Sequence, residues 1–190
     1  MKHSSILSRL HNAVLDKING IDTRGIFDVA GSTEYEHAAT TDYWVLKRTI
    51  VRLHPERGDV FCDIGCGLGR PLAIAAKMPF SRVVGLEQDP AIAKRCKDNF
   101  KGREKVDVFQ ANAEAYDYQG INVLFFFNPF RAPVLDMVLR QVTQTRNRPL
   151  RAVYLNVTPG HREVFRSHGW ILTDKNQDVP NLPVGFYKVL

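Results

Sequence analysis

A glycine-rich turn between an apolar strand and a helical segment is the feature that most restricts the fold of this chain. The strand reads Asp59-Val-Phe-Cys-Asp63, and the turn Ile64-Gly-Cys-Gly-Leu-Gly69 leads into a helical pattern at 71–78. In parallel sheets, ligands bind beyond the carboxyl ends of the strands, where the strand order reverses. Glycines at that edge allow a sharp turn and a close approach of the ligand to the backbone. The turn therefore predicts a parallel sheet with a ligand site at its carboxyl edge.

The alternation of strands and helices continues along the chain and indicates the fold class. The segments that continue it are apolar strands at 82–87, 106–109, 121–127 and 152–157, and helices at 90–100, 132–144 and 159–167. Two last strands, at 170–173 and 185–190, are separated only by a loop and are expected to pair antiparallel. The pattern predicts an α/β fold with a doubly wound, mainly parallel sheet.

Two helices are predicted before this alternation begins. The first occupies residues 1–20, and its apolar side chains form one stripe, which consists of Ile6, Leu7, Leu10, Val14 and Ile18. The second runs from about Thr41 or Asp42 to Leu53. Residues 19–40 show no sustained period, which is typical of a lid, a binding loop or a disordered segment.

The composition excludes several classes of protein. The chain has 190 residues, of which 44% are hydrophobic and 24% charged, as in an ordinary globular domain. Its apolar runs are far shorter than the roughly 18 residues that cross a bilayer, its first residues lack a secretory signal, and its three cysteines make no disulfide framework. We expect one cytoplasmic domain without a membrane segment or a metal site, with an N-terminal helical cap at 1–55 and a cofactor-binding core at 56–190.

The spacing of the glycines distinguishes two nucleotide cofactors. The dinucleotide fingerprint G-x-G-x-x-G requires a small residue where Arg70 stands, because helix and strand pack closely there. The sequence has instead an acid two residues before three alternating glycines, and Glu87 ends the next strand, where a carboxylate can accept two hydrogen bonds from a ribose diol. This pattern resembles motif I of the class I S-adenosylmethionine-dependent methyltransferases. In its whole pattern, the chain also resembles a small bacterial methyltransferase family of unassigned substrate.

The resemblance implies a Rossmann-like methyltransferase fold with a seven-stranded sheet, S-adenosylmethionine as cofactor and S-adenosylhomocysteine as product. Asp63 would bind the amino group of the cofactor, Glu87 its ribose, and Gln88 would lie beside the adenine. Asn112 stands where the family often has an acid near the adenine amine, and Glu114 is the alternative acid. The residues thus assigned to the cofactor are Asp63, Gly65, Cys66, Gly67, Gly69, Glu87, Gln88, Asn112, Ala113 and Asn128.

The strand at 121–127 ends in a second motif. Its last residues, Phe125-Phe-Phe-Asn128-Pro129-Phe130, resemble the [D/N]-P-P-[Y/F] motif of amino-group methyltransferases. There the side-chain carbonyl and a backbone carbonyl accept hydrogen bonds from the target N–H, and an aromatic ring packs over the acceptor. The second proline is missing, and an alternative makes Asn128 a turn residue and Phe130 a core residue. The resemblance predicts Asn128 and Phe130 as catalytic residues for N-methylation of an amine on a small molecule or a protein.

The segment before the first strand has two interpretations. In related lysine methyltransferases such a segment helps to close over the cofactor, which makes Tyr35, Thr40 and Tyr43 candidate site residues. Tyr43 and Trp44 also suit an anchoring role, in which they hold a helix on the sheet, and we favour that interpretation.

Positive charge is concentrated after the fourth strand. The chain has a formal charge of +6, and the stretch 131–166 contains seven arginines against two acidic residues. Because no RNA-binding module or basic tail accompanies it, we favour a solvated basic face over a nucleic-acid interface. The alternative functions are accordingly an RNA methyltransferase and a non-catalytic protein that binds S-adenosylmethionine.

Overall fold

A seven-stranded sheet forms the centre of the protein in the computed structural model, which describes residues 6–24, 42–176 and 182–190. In chain order the strands are β1 (Val60–Ile64), β2 (Arg82–Glu87), β3 (Val106–Gln110), β4 (Val123–Phe127), β5 (Leu150–Leu155), β6 (Ile171–Asn176) and β7 (Val184–Val189). Their order in the sheet is β3-β2-β1-β4-β5-β7-β6. Only β7 runs against its neighbours, β5 and β6, so the predicted fold class and the antiparallel pairing of the last two strands are confirmed.

Helices cover both faces of the sheet. They are α1 (Ile6–Ile18), α2 (Tyr43–Val51), α3 (Arg70–Ala75), α4 (Pro90–Asn99), α5 (Ala132–Thr145) and α6 (Pro159–Ser167). Buried side chains of α2, α3 and α4 pack in one hydrophobic cluster, and those of α5 and α6 pack in a second cluster on the other face. Among the described residues, no helix combines the length and the apolarity needed to cross a membrane.

The central strands are apolar because both of their faces are covered. On β4, Phe125 points into the first cluster and Phe126 into the second, and both rings are fully buried. Strands buried on both faces appear as continuous apolar runs rather than as alternating patterns. Helix starts follow equally local signals: the Asp89 side chain accepts hydrogen bonds from the first backbone N–H groups of α4, and Pro90 occupies the first helical position.

Helix α1 buries a polar face. The helix itself was predicted, but Leu10, Val14 and Ile18 of its apolar stripe are exposed, whereas Asn12 and Asp16 are buried. These three residues of the stripe therefore do not lie on the face that packs against the rest of the chain, and the side chains of Ile6 and Leu7 lie outside the described part of the structure. The reason is that the two buried polar residues find hydrogen-bond partners in other elements, which compensates their loss of contact with water.

Asp16 is the centre of a buried polar network that joins the N-terminal residues to the sheet. Arg70 donates to both carboxylate oxygens, from Nε at 3.1 Å and from Nη2 at 2.7 Å, in the bidentate geometry that makes such pairs strong. The hydroxyls of Thr23 and Tyr43 donate to the same carboxylate at 2.6 and 2.8 Å. Arg70 is the first residue of α3 and follows the glycine turn directly, so the network connects α1 and α2 to that turn.

Trp44 is 49% exposed, so the anchoring role predicted for it is wrong, whereas Tyr43 has that role. Its ring is buried beneath the guanidinium of Arg70, at 5.1 Å from the ring centroid. Tyr35 and Thr40, the other two candidates from this segment, lie outside the described residues.

We expect Asp16→Ala to lower the free energy of unfolding by about 3 kcal/mol, because it leaves the buried Arg70 without its carboxylate. The matched control is Asp98→Ala, which removes an exposed ion pair with Lys94 on α4 and should cost about 0.5 kcal/mol or less. Urea denaturation followed by circular dichroism measures both values. Similar losses in the two variants would show that the network contributes no more than a surface pair.

Candidate functional site

The predicted ligand residues meet at the carboxyl edge of the sheet. The order of the strands reverses between β1 and β4, which are neighbours in the sheet, and such a switch point is where α/β proteins bind ligands. Asp63 lies near the end of β1, Glu87 ends β2, and Asn128 follows β4. The structure therefore brings together three residues that are far apart in the sequence.

Two glycines of the turn after β1 have different surroundings. Gly65 has φ +77°, and a Cβ at this position would lie 2.8 Å from Cβ of Pro129, so a side chain there would clash. Gly67 has φ +53°, but a Cβ there would meet nothing within 4 Å. Gly65 is thus required by the packing of the protein itself, whereas Gly67 borders open space that a ligand can occupy.

The backbone holds the carboxylate of Glu87 in a fixed orientation. Oε2 accepts a hydrogen bond from the N–H of Gly67, and Oε1 accepts one from the N–H of Asp89, both at 3.0 Å. Burial raises the pKa of Glu87, and the backbone N–H groups oppose that shift because they stabilise the ionised form. Each oxygen keeps a further lone pair, so the carboxylate can still accept hydrogen bonds from two hydroxyl groups.

Asp63 is a buried carboxyl group with an unsatisfied oxygen. It is 1% exposed, and its Oδ2 atom has no hydrogen-bond partner among the described residues. Burial and, secondarily, the negative charge of Glu87 raise the pKa of Asp63 well above its usual range. A buried polar atom without a partner is costly. The site therefore fits a ligand that brings a positively charged hydrogen-bond donor, such as an ammonium group, to Asp63.

Two predicted cofactor residues support the turn from within the protein. Cys66 directs its thiol inward, where its sulfur lies 3.9 Å from that of Cys96. Both thiols are buried and free. At Gly69 a Cβ would collide with the ring of Phe100 on the same side. Cys66 and Gly69 thus face the packed interior next to α4, in contrast to Gly67.

The predicted adenine side contains exposed and packed residues. Gln88 and Asn112 are exposed after the ends of β2 and β3, while Ala113 is buried. The Oδ1 atom of Asn112 accepts a hydrogen bond from the N–H of Glu114 at 2.9 Å. The hydroxyl of Tyr118 donates to the carbonyl of Ala113 at 2.8 Å. These bonds fix the backbone of the segment and leave the amide group of the Asn112 side chain available to a ligand.

Asn128 and Phe130 differ in their surroundings. Asn128 is half-buried, adopts φ +46° directly after β4, and has no hydrogen-bond partner among the described residues. The ring of Phe130 is 5% exposed and packs edge-on to Phe126 in the core, at 6.5 Å between centroids. Its carbonyl accepts a hydrogen bond from the hydroxyl of Tyr154 at 3.0 Å. Phe130 thus has the packing that the alternative interpretation, a core residue, predicts.

Asn156 is a polar residue of this edge that the sequence patterns did not single out. It follows β5 as Asn128 follows β4, is half-buried and adopts φ +63°. Phe127 and Leu155 are paired in the parallel register of β4 and β5, so the two asparagines come next on adjacent strands. The sequence analysis included Asn156 in the strand at 152–157, whereas β5 ends at Leu155, so the asparagine stands just after the strand.

Three of the seven arginines at 131–166 lie at the opposite edge of the sheet. Arg151 donates to Asp59 and to two backbone carbonyls near the end of α2. Arg146 and Arg148 donate to backbone carbonyls around the connection from α5 to β5. These three side chains therefore stabilise the amino end of β5 and do not line the ligand edge.

Comparisons with known proteins agree with this geometry. Residues 61–150, which include the glycine turn, β2, β3 and β4, match a family model described as a methyltransferase domain. A comparison with functionally curated proteins finds no significant match.

Solved methyltransferase structures share the fold. An RNA methyltransferase from Salinibacter ruber in complex with S-adenosyl-L-homocysteine aligns with a TM-score of 0.66 at 19% identity, over 80% of this chain and 94% of that chain. A SAM-dependent methyltransferase from Aquifex aeolicus aligns with a TM-score of 0.61 at 10% identity, over 80% of this chain and 100% of that chain. A SAM-dependent O-methyltransferase from Thermotoga maritima aligns with a TM-score of 0.61 at 15% identity, over 80% of this chain and 67% of that chain. At these identities the similarity establishes the fold.

We expect Asp63→Asn to raise the stability of the ligand-free protein at neutral pH. Because folding raises the pKa of Asp63, the carboxyl group favours the folded state at low pH, and this contribution is lost as the pH rises through the raised pKa. Asparagine has nearly the same shape and carries no charge at any pH. Thermal unfolding between mildly acidic and mildly alkaline pH should show an advantage of Asp63→Asn that grows with pH. A variant that is less stable than the wild type at alkaline pH would contradict the assignment.

Proposed function

We propose that the chain is a class I S-adenosylmethionine-dependent methyltransferase, as the family match and the shared fold support, and that it methylates an amine nitrogen on a small molecule or a protein. The observation that carries this choice is the position of Asn128. It directly follows β4 and is held beside the glycine turn by the contact between Pro129 and Gly65. Its carboxamide has no partner among the described residues, so its oxygen is available to accept a hydrogen bond from an N–H group.

We assign the parts of the cofactor to the residues of the carboxyl edge. The unsatisfied oxygen of Asp63 suits the ammonium group of the methionine part. The carboxylate of Glu87, which the backbone holds in place, suits the two ribose hydroxyls. The open side of Gly67 gives the cofactor room beside the turn. When bound, S-adenosylmethionine supplies a methyl group that its sulfonium already activates, so the chain needs only to bind and orient the acceptor.

The acceptor nitrogen must present a free lone pair to the methyl carbon. An alkylamine such as lysine has a pKa of about 10.4 and therefore has to lose a proton first. If Asn128 accepts one N–H of the neutral amine, the lone pair can be directed towards the methyl group. Such orientation is the main contribution that a protein makes to a reaction between two bound groups.

An RNA methyltransferase is the second candidate, because two of the structural neighbours are described as RNA methyltransferases, one of them only provisionally. In this chain the basic stretch was the only sequence feature in favour of RNA, and three of its arginines stabilise the edge opposite the site. The observations thus favour an amine outside RNA.

Methyl transfer from labelled S-adenosylmethionine distinguishes the candidates. The protein is incubated with a set of small primary amines, with lysine-containing peptides and with bacterial RNA. We expect label in an amine or a peptide. Label in RNA alone, together with RNA binding that weakens steeply as salt increases, would support the second candidate. Binding of S-adenosylhomocysteine without transfer to any acceptor would indicate a non-catalytic protein.

We expect Gly67→Ala to weaken the binding of S-adenosylhomocysteine at least tenfold, because the added methyl group would enter the space assigned to the cofactor. The matched control is Gly102→Ala. Both glycines have positive φ and open surroundings, so both substitutions carry a similar backbone strain of about 1 kcal/mol. Gly102 lies after α4, away from the glycine turn. Calorimetric titration should show normal binding in the control, and equal weakening in the two variants would contradict the assignment.

We expect Asn128→Gly to reduce turnover of the amine about a hundredfold while the affinity for S-adenosylhomocysteine changes less than twofold. Glycine tolerates the left-handed backbone conformation of Asn128 and removes only the carboxamide. Steady-state kinetics and calorimetry measure the two effects. A parallel loss of S-adenosylhomocysteine affinity would place Asn128 in the cofactor pocket instead.

A further inference from the structure

We propose that Asn156 is a second residue of the acceptor pocket and that, with Asn128, it selects an acceptor nitrogen that carries two hydrogens. This inference rests on the proposed function and deepens it. It names a specificity residue, and it narrows the acceptor class to primary amines that are methylated once. It starts from a juxtaposition that the sheet creates between two carboxamides.

The register of the sheet places the two residues side by side. Phe127 and Leu155 are the last paired residues of β4 and β5, and the asparagines follow them directly. Neighbouring strands are about 4.8 Å apart. The two backbones therefore leave the sheet next to each other, one strand and two strands away from β1 and its glycine turn.

Both residues share a rare backbone conformation. Asn128 and Asn156 have φ +46° and +63°, a region that few residues other than glycine adopt and in which asparagine is enriched. In each case the strand ends, and the chain turns away towards a helix, α5 or α6. The turn leaves both side chains at the carboxyl edge, where neither is fully buried.

Among the described residues, neither Asn128 nor Asn156 has a side-chain hydrogen bond. Other asparagines of the chain do: Asn122 bonds to Asp59, and Asn99 bonds to the carbonyl of Leu68. Two unpartnered carboxamides next to a cofactor site thus offer two carbonyl oxygens to the same ligand.

The chemistry of methyl transfer explains why two acceptors are useful. A neutral primary amine has two N–H bonds and one lone pair. If the side-chain oxygen of Asn128 accepts one N–H and that of Asn156 accepts the other, the lone pair points at the methyl carbon. The nitrogen–carbon bond then forms as the carbon–sulfur bond breaks, the electron pair stays on sulfur, and the methylated ammonium releases a proton to water. The product, a neutral secondary amine, has only one N–H left and cannot satisfy both oxygens.

The test uses sinefungin, an analogue of the cofactor in which a carbon replaces the sulfur and an amine takes the place of the transferred methyl group. Its amine projects towards the acceptor side, so its binding reports on this pocket although the natural acceptor is not identified. Calorimetry compares the affinities for sinefungin and S-adenosylhomocysteine in the wild type and in variants. We expect Asn156→Gly to lower the affinity for sinefungin about tenfold, because the variant loses one hydrogen bond to a charged donor. The affinity for S-adenosylhomocysteine should change less than twofold.

A second variant and a control separate this role from a structural one. Asn156→Asp keeps the preference for the left-handed conformation and adds a negative charge. It should therefore increase the affinity for sinefungin relative to the affinity for S-adenosylhomocysteine. The control is Asn147→Gly, which removes the side chain of an exposed asparagine near the opposite end of β5. It should leave the ratio of the affinities for sinefungin and S-adenosylhomocysteine unchanged. A residue that only shapes the turn would shift both ligands alike, and that result in both Asn156 variants would overturn the inference.

The same titration distinguishes the two proposals. If Asn156→Gly lowers the preference for sinefungin and Asn128→Gly does not, the role given to Asn128 in the proposed function is wrong, and the inference about Asn156 as an acceptor-side residue stands. If only Asn128→Gly lowers it, the inference is wrong and the proposed function stands.

Discussion

The contact between Gly65 and Pro129 determines how the functional edge of this protein is built. With 2.8 Å between a Cβ at position 65 and Cβ of Pro129, only glycine lets the turn after β1 lie against the chain that leaves β4. The contact brings the turn to which we assign the cofactor next to Asn128, to which we assign the acceptor. Methyl transfer requires that closeness, because both reactants must lie within one contact distance of the same carbon.

The same edge contains a buried carboxyl group whose hydrogen bonds the described residues do not complete. Glu87 is held by two backbone N–H groups, but one oxygen of Asp63 has no partner within residues 6–24, 42–176 and 182–190. A sequence selected for stability alone would replace Asp63 with a neutral residue, because its burial favours the uncharged form. That the carboxyl group is present at this point is consistent with a binding role, since functional sites commonly reduce stability.

Most of the fold could be predicted from the sequence, because the signals involved are local. The apolar runs of the central strands and the glycine turn each identify their element without knowledge of the rest of the chain. The positions of Asp63 and Glu87 at one edge followed from the same argument, since both end a parallel strand. Packing across the chain was harder to foresee: the buried face of α1 depends on Arg70, which lies 54 residues after Asp16.

Contacts between neighbouring parts of the fold explain why the surroundings of Asn156 and Phe130 could not be predicted from the sequence. The side-by-side position of Asn128 and Asn156 depends on β4 and β5 being adjacent and in register, which the sequence of either strand does not show. For Phe130, the motif suggested a ring at the acceptor, but the missing proline leaves the ring directly after Pro129, and it packs with Phe126 in the core. The position of this ring depends on its packing partner Phe126, which the motif alone does not indicate.

Arg70 breaks the dinucleotide fingerprint and also connects the glycine turn to α1. The dinucleotide fingerprint requires a small residue there, but here the long side chain reaches away from the turn to Asp16 on α1. Thr23 and Tyr43, which flank residues 25–41, bind the same carboxylate. The chain therefore enters and leaves that segment at one polar cluster, directly beside the glycine turn. Because Arg70 directly follows Gly69, this cluster holds α1 and α2 next to the glycine turn.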